Sequence, residues 1–125
     1  FIRIQKIFNN DLQKLRKNIS GYSFDDKATE EAMRSLFNSY NYISDPHSAV
    51  GYLGLKKYMA LNKIKDVNGI FISTAHSIKF KDVVENAIKT NVSYPKAIID
   101  IMGKEKVSSS IENYSELKEH LLQRN

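Results

Sequence analysis

The chain has 125 residues, which is the size of one modest domain. An apolar fraction of 42% with 26% charged residues is typical of a folded globular protein and excludes a disordered tail. There is no cysteine, so disulfide bonds and thiolate metal sites are excluded. The net charge is +5, but basic residues are interleaved with acidic ones and never occur three in a row. This distribution favours a solvated surface over a nucleic-acid-binding stripe.

The apolar runs are short, such as that at residues 69–72, so we expect no membrane-spanning segment. No charged and then apolar leader opens the chain, and a cytoplasmic location follows by default. The first residue is Phe1 rather than Met, and it enters a helical pattern at once. This beginning predicts that the sequence is a piece of a longer protein.

Two helices are predicted within the first forty residues, separated by a short β-prone segment at residues 22–24. Apolar residues at helical spacing predict one helix over residues 4–19, ended just before Gly21. A second helix is predicted over residues 28–40, and Asp25 or Asp26 can supply its N-cap.

A third helix begins with a strong signal. Asp45 can accept hydrogen bonds from free backbone N–H groups, and Pro46 suits the first helical position, where no N–H is needed. The apolar pattern continues this helix towards Asn62. Gly51 and Gly54 interrupt it, and since glycine is unfavourable inside a helix, they predict close packing against another backbone or a ligand, with a tight helix-to-sheet contact favoured.

Residues 67–74 form the clearest predicted strand, because their continuous apolar run is typical of a strand covered on both faces. A short loop and a helix through residue 88 follow, which together make the half-unit of a parallel α/β sheet. Ligands of such sheets bind at the carboxyl ends of strands. Thr74, His76 and Ser77 therefore occupy the most favourable ligand-facing position, and Ser77 could also cap the helix.

The last third of the chain carries weaker signals. A helix is predicted after Pro95 through Met102, with Gly103 ending it, and a final amphipathic helix is predicted over residues 115–122.

The three histidines give no metal signal. His47, His76 and His120 stand in no recognised spacing with one another or with carboxylates, so no metal site is predicted. A Ser-His-Asp arrangement could be drawn from neighbouring residues, but the sequence has no nucleophile elbow.

Two runs in the chain resemble one enzyme family. Residues 45–51, DPHSAVG, are similar to the D-P-H-T-A-V-G segment of bacterial and fungal threonine synthases, and residues 73–80, STAHSIKF, resemble their T-A-H-P-A-K-F segment. The order and separation of the two runs also fit, and the resemblance extends over the whole chain. Ser48 stands where the family has threonine, and Ser77 and Ile78 replace proline and alanine.

The resemblance implies an α/β fold: a helix-rich part of a three-layer αβα large domain of fold type II, like tryptophan synthase β, with two or three short parallel strands. Residues 1–125 would be the C-terminal part of that domain. It also implies a cytoplasmic enzyme that uses pyridoxal 5'-phosphate (PLP) to convert O-phospho-L-homoserine and water into L-threonine and phosphate, the last step of threonine biosynthesis.

Site residues are carried over motif by motif. The resemblance implies that the hydroxyl of Thr74 lies against the pyridine nitrogen of PLP. It assigns His76 to the cofactor site and Lys79 to its neighbourhood, and it implies that Asp45 and His47 fix the helix beside the pocket. By position in their motifs, the departing serines at 48 and 77 are also near-site or structural residues.

The resemblance further implies that the chain is inactive alone. The Schiff-base lysine and the main phosphate-binding residues lie upstream in this family, so the missing N-terminal portion would be the chain's partner. An alternative stays open: a non-catalytic interaction or regulatory domain derived from such an enzyme, which the change at Ser77 and Ile78 favours.

Overall fold

The computed structural model describes residues 1–123, which form two compact units, residues 1–93 and residues 94–123. The first unit contains five α-helices and one 3-10 helix, and the second contains two α-helices. Their bounds are α1 Ile2–Ile7, α2 Leu12–Asn18, α3 Asp26–Tyr40, α4 Pro46–Leu61, the 3-10 helix Ser77–Phe80, α5 Lys81–Ile88, α6 Lys96–Ile99 and α7 Tyr114–Leu122.

The single helix predicted over residues 4–19 is wrong, because the chain breaks into α1 and α2. Asn9 and Asn10 adopt positive φ angles of 52° and 58°, a left-handed conformation that asparagine tolerates better than most residues. Asp11 then starts α2, and its carboxylate accepts hydrogen bonds from the backbone N–H groups of Gln13 and Lys14 at 3.0 Å.

The helix predicted over residues 28–40 is confirmed as α3. Asp25 is its N-cap, and the carboxylate accepts a hydrogen bond from the backbone N–H of Ala28 at 2.8 Å. The helix ends at Asn41, which is left-handed with φ of 52°. These local signals are sufficient to define both ends of the helix.

The core of the first unit lies where α3 packs against α4 and α5. Its buried apolar side chains come from α3 and α5, from Ala49 of α4 and from Val92, which follows α5. Arg34 of α3 donates a hydrogen bond from Nε to the carbonyl of Ala87 in α5 at 3.0 Å. The buried core residues are Ala32, Met33, Ala49, Val84, Ala87, Ile88 and Val92.

The segment after α5 is held by polar contacts. Glu85 accepts a hydrogen bond from the backbone N–H of Val92 at 2.7 Å and another from the Lys81 ammonium. The Lys81 ammonium also donates to the carbonyl of Val92 at 2.9 Å. These bonds fasten the chain after the left-handed C-cap of α5 at Lys89.

The predicted strand at residues 67–74 does not form, and no strand occurs anywhere in residues 1–123. A strand of a parallel sheet requires hydrogen bonds to neighbouring strands, and this part of the chain supplies none. The two or three short parallel strands of the expected fold are therefore absent from the described residues. The helix-rich character is as predicted.

Side chains in this segment nevertheless alternate as they would in a strand. The ring of Phe71 packs edge-on against Tyr42 and Tyr52, with centroids 6.2 and 5.6 Å away. The neighbouring side chains Ile70 and Ile72 are 85% and 76% exposed. One face of the segment thus packs on the helices, and the other is uncovered. The prediction that both faces are covered is wrong for this structure.

The second unit is built differently. α6 ends at Ile99, three residues earlier than the predicted helix, and α7 confirms the predicted final helix. No residue of α6 or α7 is buried. No helix within residues 1–123 is both long and apolar enough to cross a membrane.

Candidate functional site

The site begins at the N-terminus of α4, where the predicted cap is confirmed. Asp45 adopts an extended backbone conformation, and its Oδ1 accepts a hydrogen bond from the backbone N–H of His47 at 3.0 Å. Pro46 occupies the first turn, where its missing N–H leaves no bond unmade. The Asp45 side chain is fully buried, which is unusual for a carboxylate without several partners.

Two side chains of the same turn complete those partners. The hydroxyl of Ser48, itself buried, donates to Oδ2 of Asp45, and Nδ1 of His47 lies 3.1 Å from Oδ1. Burial raises the pKa of the Asp45 carboxyl, but the hydrogen bonds from Ser48 and His47 lower the pKa more, so it lies below its ordinary value. Asp45 is therefore a charged and buried anchor.

A hydroxyl pair joins α4 to the second motif. Oγ of Ser48 lies 3.2 Å from Oγ of Ser73, a residue twenty-five positions later in the chain. The ring of His47 also packs on that of Phe80, with centroids 5.0 Å apart. The structure thus brings together the two runs that carried the resemblance, and Ser73 is the residue directly before Thr74.

The hydroxyl of Thr74 is presented to solvent. Thr74 is exposed, and its side chain makes no hydrogen bond within the described part of the chain. It lies on the same uncovered face as Ile70 and Ile72, whereas Ser73 lies on the face towards α4. This position leaves the hydroxyl available to a ligand.

The two ring nitrogens of His76 differ: Nδ1 holds a backbone hydrogen bond, whereas Nε2 makes none among the residues that the structure describes. Its Nδ1 accepts a hydrogen bond from the backbone N–H of Ile78 at 3.1 Å, so His76 is the N-cap of the 3-10 helix. In that tautomer the proton is on Nε2, which can donate to a ligand. The predicted capping role of Ser77 is wrong, because the imidazole of the preceding residue already fills it.

Ser77 is buried at the first position of the 3-10 helix. A proline is accepted at such a position because its missing N–H has no helical partner. The first position of the 3-10 helix can hold a proline or the serine that is found there, so the change from proline to Ser77 is compatible with this loop. Lys79 is exposed in the same helix, and its backbone N–H donates a hydrogen bond to the carbonyl of His76 at 3.1 Å. Within the described residues its ammonium forms no ion pair.

The groove beside the site has a volume of about 280 Å³ and is lined by Phe24, Asp26, Thr29, Pro46, His47 and Val50. It borders the α4 N-terminus, while Thr74 and His76 lie on the exposed surface. Within residues 1–123 no three His, Asp or Glu side chains form a cluster able to hold a metal ion.

Sequence reasoning missed the role of Ser73, although it lies within the quoted motif. The signal was available: a serine one residue before the end of an alternating segment points to the opposite face from Thr74. Reading that alternation would have directed Ser73 towards the helix side.

Comparison with known proteins agrees with the two motifs. The family model described as threonine synthase, C-terminal, matches residues 48–121. Threonine synthase of Buchnera aphidicola subsp. Acyrthosiphon pisum is 34% identical over 126 residues, covering 98% of this chain and 27% of that protein. Threonine synthase of Escherichia coli K12 is 31% identical over 98 residues, covering 78% and 22%. The chain thus spans about a quarter of the length of these relatives.

Solved structures give the same result. The crystal structure of Escherichia coli threonine synthase aligns with a TM-score of 0.60 and 27% identity, covering 91% of this chain and 27% of that one. PLP-bound threonine synthase from Brucella melitensis aligns with a TM-score of 0.57, covering 96% and 30%, and at 18% identity it supports the fold alone. The family inferred from the motifs is confirmed: the family model matches more than half of the residues, and this chain belongs to the threonine synthase C-terminal family.

Proposed function

We propose that the chain is the C-terminal part of a threonine synthase that converts O-phospho-L-homoserine and water into L-threonine and phosphate with PLP. The observation that carries this proposal is the contact between Ser48 and Ser73, which joins the two family motifs at one place. It leaves the Thr74 hydroxyl exposed beside a helix N-terminus anchored by the buried Asp45. Family membership and the threonine synthase relatives support it further.

The residues of this chain fit one side of a PLP site. When bound, PLP supplies an electron sink for the carbanions formed on the amino-acid substrate. The Thr74 hydroxyl is exposed and makes no hydrogen bond to any residue from 1 to 123, so it can hydrogen-bond to the ring nitrogen of the cofactor. A neutral hydroxyl in this role orients the ring without placing a negative charge beside it.

His76 adds a second group to this side of the site. The bond from Ile78 fixes its imidazole and leaves Nε2–H as an oriented donor. We assign His76 to binding and Asp45, His47, Ser48, Ser77 and Lys79 to support near the site. Asp45 acts by holding the first turn of α4 through its buried hydrogen bonds.

The remaining parts of the active site are assigned to the rest of a longer protein. The chain spans 27% of the Buchnera relative, and we propose that the other portion supplies the Schiff-base lysine and most phosphate contacts. On this proposal the 125-residue chain has no activity alone. The full-length protein means, below, this chain joined to that portion.

Phosphate release tests the proposal. The full-length protein is incubated with O-phospho-L-homoserine and PLP, and phosphate and threonine are both measured. We expect equal amounts of the two products and none from the 125-residue chain alone. Cofactor absorbance without either product, or neither absorbance nor product, would contradict the proposal and favour a non-catalytic domain derived from a PLP enzyme.

A further inference from the structure

We propose that Ser73 is a positioning residue, whose hydroxyl is the first link of a hydrogen-bond chain from Ser73 through Ser48 to Asp45 that sets the orientation of Thr74. This inference rests on the proposed function, because it concerns how the cofactor-facing hydroxyl is held.

The order of the links follows from the number of protons. Ser48 has one hydroxyl proton, and the Asp45 carboxylate beside it can only accept. A hydrogen bond to a charged acceptor is stronger than one to a neutral hydroxyl, so Ser48 donates to Asp45. Its oxygen is then left as an acceptor 3.2 Å from Oγ of Ser73. In the arrangement that we propose, Ser73 supplies the proton for that contact.

Ser73 has a competing acceptor. The carbonyl of Ala75 lies 3.3 Å from Oγ of Ser73. If Ser73 donated there, the oxygen lone pairs of Ser48 and Ser73 would face each other without a proton between them. If Ser73 donates to Ser48 instead, this repulsion is avoided. The hydrogen-bond chain then ends at the charged carboxylate of Asp45.

The backbone of residues 67–74 links the hydrogen bond of Ser73 to the orientation of Thr74. Ser73 is exposed to solvent, as are Ile70, Ile72 and Thr74, but it bonds to Ser48 of α4, and Phe71 packs on Tyr52 of the same helix. Neighbouring side chains therefore point to opposite faces, and holding Ser73 towards α4 directs Thr74 away from it. Losing the Ser73 bond frees the backbone at the residue before the proposed cofactor contact.

The test uses the full-length protein and follows PLP binding by cofactor absorbance, together with kcat and KM. We expect Ser73→Ala to weaken PLP binding by about three- to tenfold, the size of one net hydrogen bond. Ser73→Thr keeps the hydroxyl at an exposed position and is expected to restore binding to within about twofold of the wild type. Ser23→Ala, at an exposed serine in another non-helical segment, is the matched control and should leave binding unchanged.

A double-mutant cycle tests the chain itself. If Ser73 acts through Ser48, the double variant Ser48→Ala with Ser73→Ala should bind PLP no more weakly than Ser48→Ala alone. Circular dichroism checks that the Ser48→Ala variants are folded, since Ser48 is buried. Additive losses would overturn the inference, as would wild-type PLP binding by Ser73→Ala or equal losses in the Ala and Thr variants.

Different results would overturn the proposed function and the positioning role of Ser73. A wild-type protein that binds no PLP and releases no phosphate would overturn the proposed function and this inference together. A wild-type protein that binds PLP and is active, with an unaffected Ser73→Ala variant, would overturn only the role of Ser73.

Discussion

The helical core and the segment at residues 67–74 belong to the same compact unit but are stabilised in different ways. Helices α3, α4 and α5 form their own backbone hydrogen bonds, and their buried side chains pack together in the core. The segment packs Phe71 against two tyrosines, yet Ile70 and Ile72 are exposed on its other face. Helices can thus be complete within the chain, whereas a strand depends on neighbours that the described residues do not supply.

The largest expected effect lies in the core. Met33 is 1% exposed, and Met33→Ala should lower the free energy of unfolding by about 2–5 kcal/mol through lost burial and a new cavity. Ile72→Ala removes a side chain from the uncovered face and should change it by less than about 0.5 kcal/mol. Urea unfolding of the 125-residue chain measures both. Equal losses would mean that the two regions do not differ as described.

The next effect compares two helix caps. Asp45→Ala removes the cap of α4 and leaves the buried Ser48 hydroxyl without its charged acceptor, so we expect a loss of about 2–3 kcal/mol. Asp25→Ala, at the more exposed cap of α3, should cost about 1 kcal/mol. The same unfolding measurement distinguishes them. A smaller loss at Asp45 would show that its network adds nothing to capping.

The pH dependence of folding stability tests the lowered pKa of Asp45. Its folded pKa is below the usual 3.8, so its stabilising contribution is complete above about that pH and is lost as the pH falls through the folded pKa. The stability difference between wild type and Asp45→Asn should therefore shrink below about pH 4.

Glu85 is the control for this acid titration. The hydrogen bonds from the Lys81 ammonium and from the Val92 backbone lower its pKa as well, so it titrates in the same direction. Glu85→Gln should leave the Asp45-dependent difference unchanged. A difference that is constant from pH 7 to pH 3 would contradict a lowered pKa at Asp45.

The small change in stability expected at a glycine position in α4 is a gain rather than a loss. A Cβ at Gly54 would lie 3.8 Å from Cδ2 of Tyr22, an ordinary contact, so Gly54→Ala should stabilise α4 by about 0.5–1 kcal/mol. At Gly69 a Cβ would lie 2.6 Å from Cδ2 of Leu55, so Gly69→Ala should destabilise the chain unless that side chain moves. Thermal unfolding of both variants tests whether Gly54 is required for close packing.

The parts of the fold that depend on local chemistry could be predicted from the sequence. Asp25 and Asp45 each cap the expected helix, because a carboxylate and the backbone N–H groups it satisfies are near neighbours in the chain. The break at Asn9 and Asn10 was missed because the apolar spacing continues across it. The strand prediction failed because periodicity says nothing about the neighbours a strand needs.

The candidate site also has features that the sequence predicts and features that only the structure shows. Thr74 was assigned to the site from the motif resemblance and from its place at the end of the predicted strand, whereas the contact between Ser48 and Ser73 depends on tertiary structure. Capping by His76 instead of Ser77 was also missed, because an imidazole accepting a backbone hydrogen bond has no distinctive sequence pattern.

The most direct test of the central claim compares Thr74→Ala with Thr74→Ser in the full-length protein, measuring PLP absorbance and the rate of threonine formation. The account predicts that the alanine variant binds PLP about tenfold more weakly or turns over correspondingly more slowly. The serine variant, which keeps the hydroxyl, should stay close to the wild type. Unchanged spectra and rate in Thr74→Ala would contradict the account and remove Thr74 from the cofactor site.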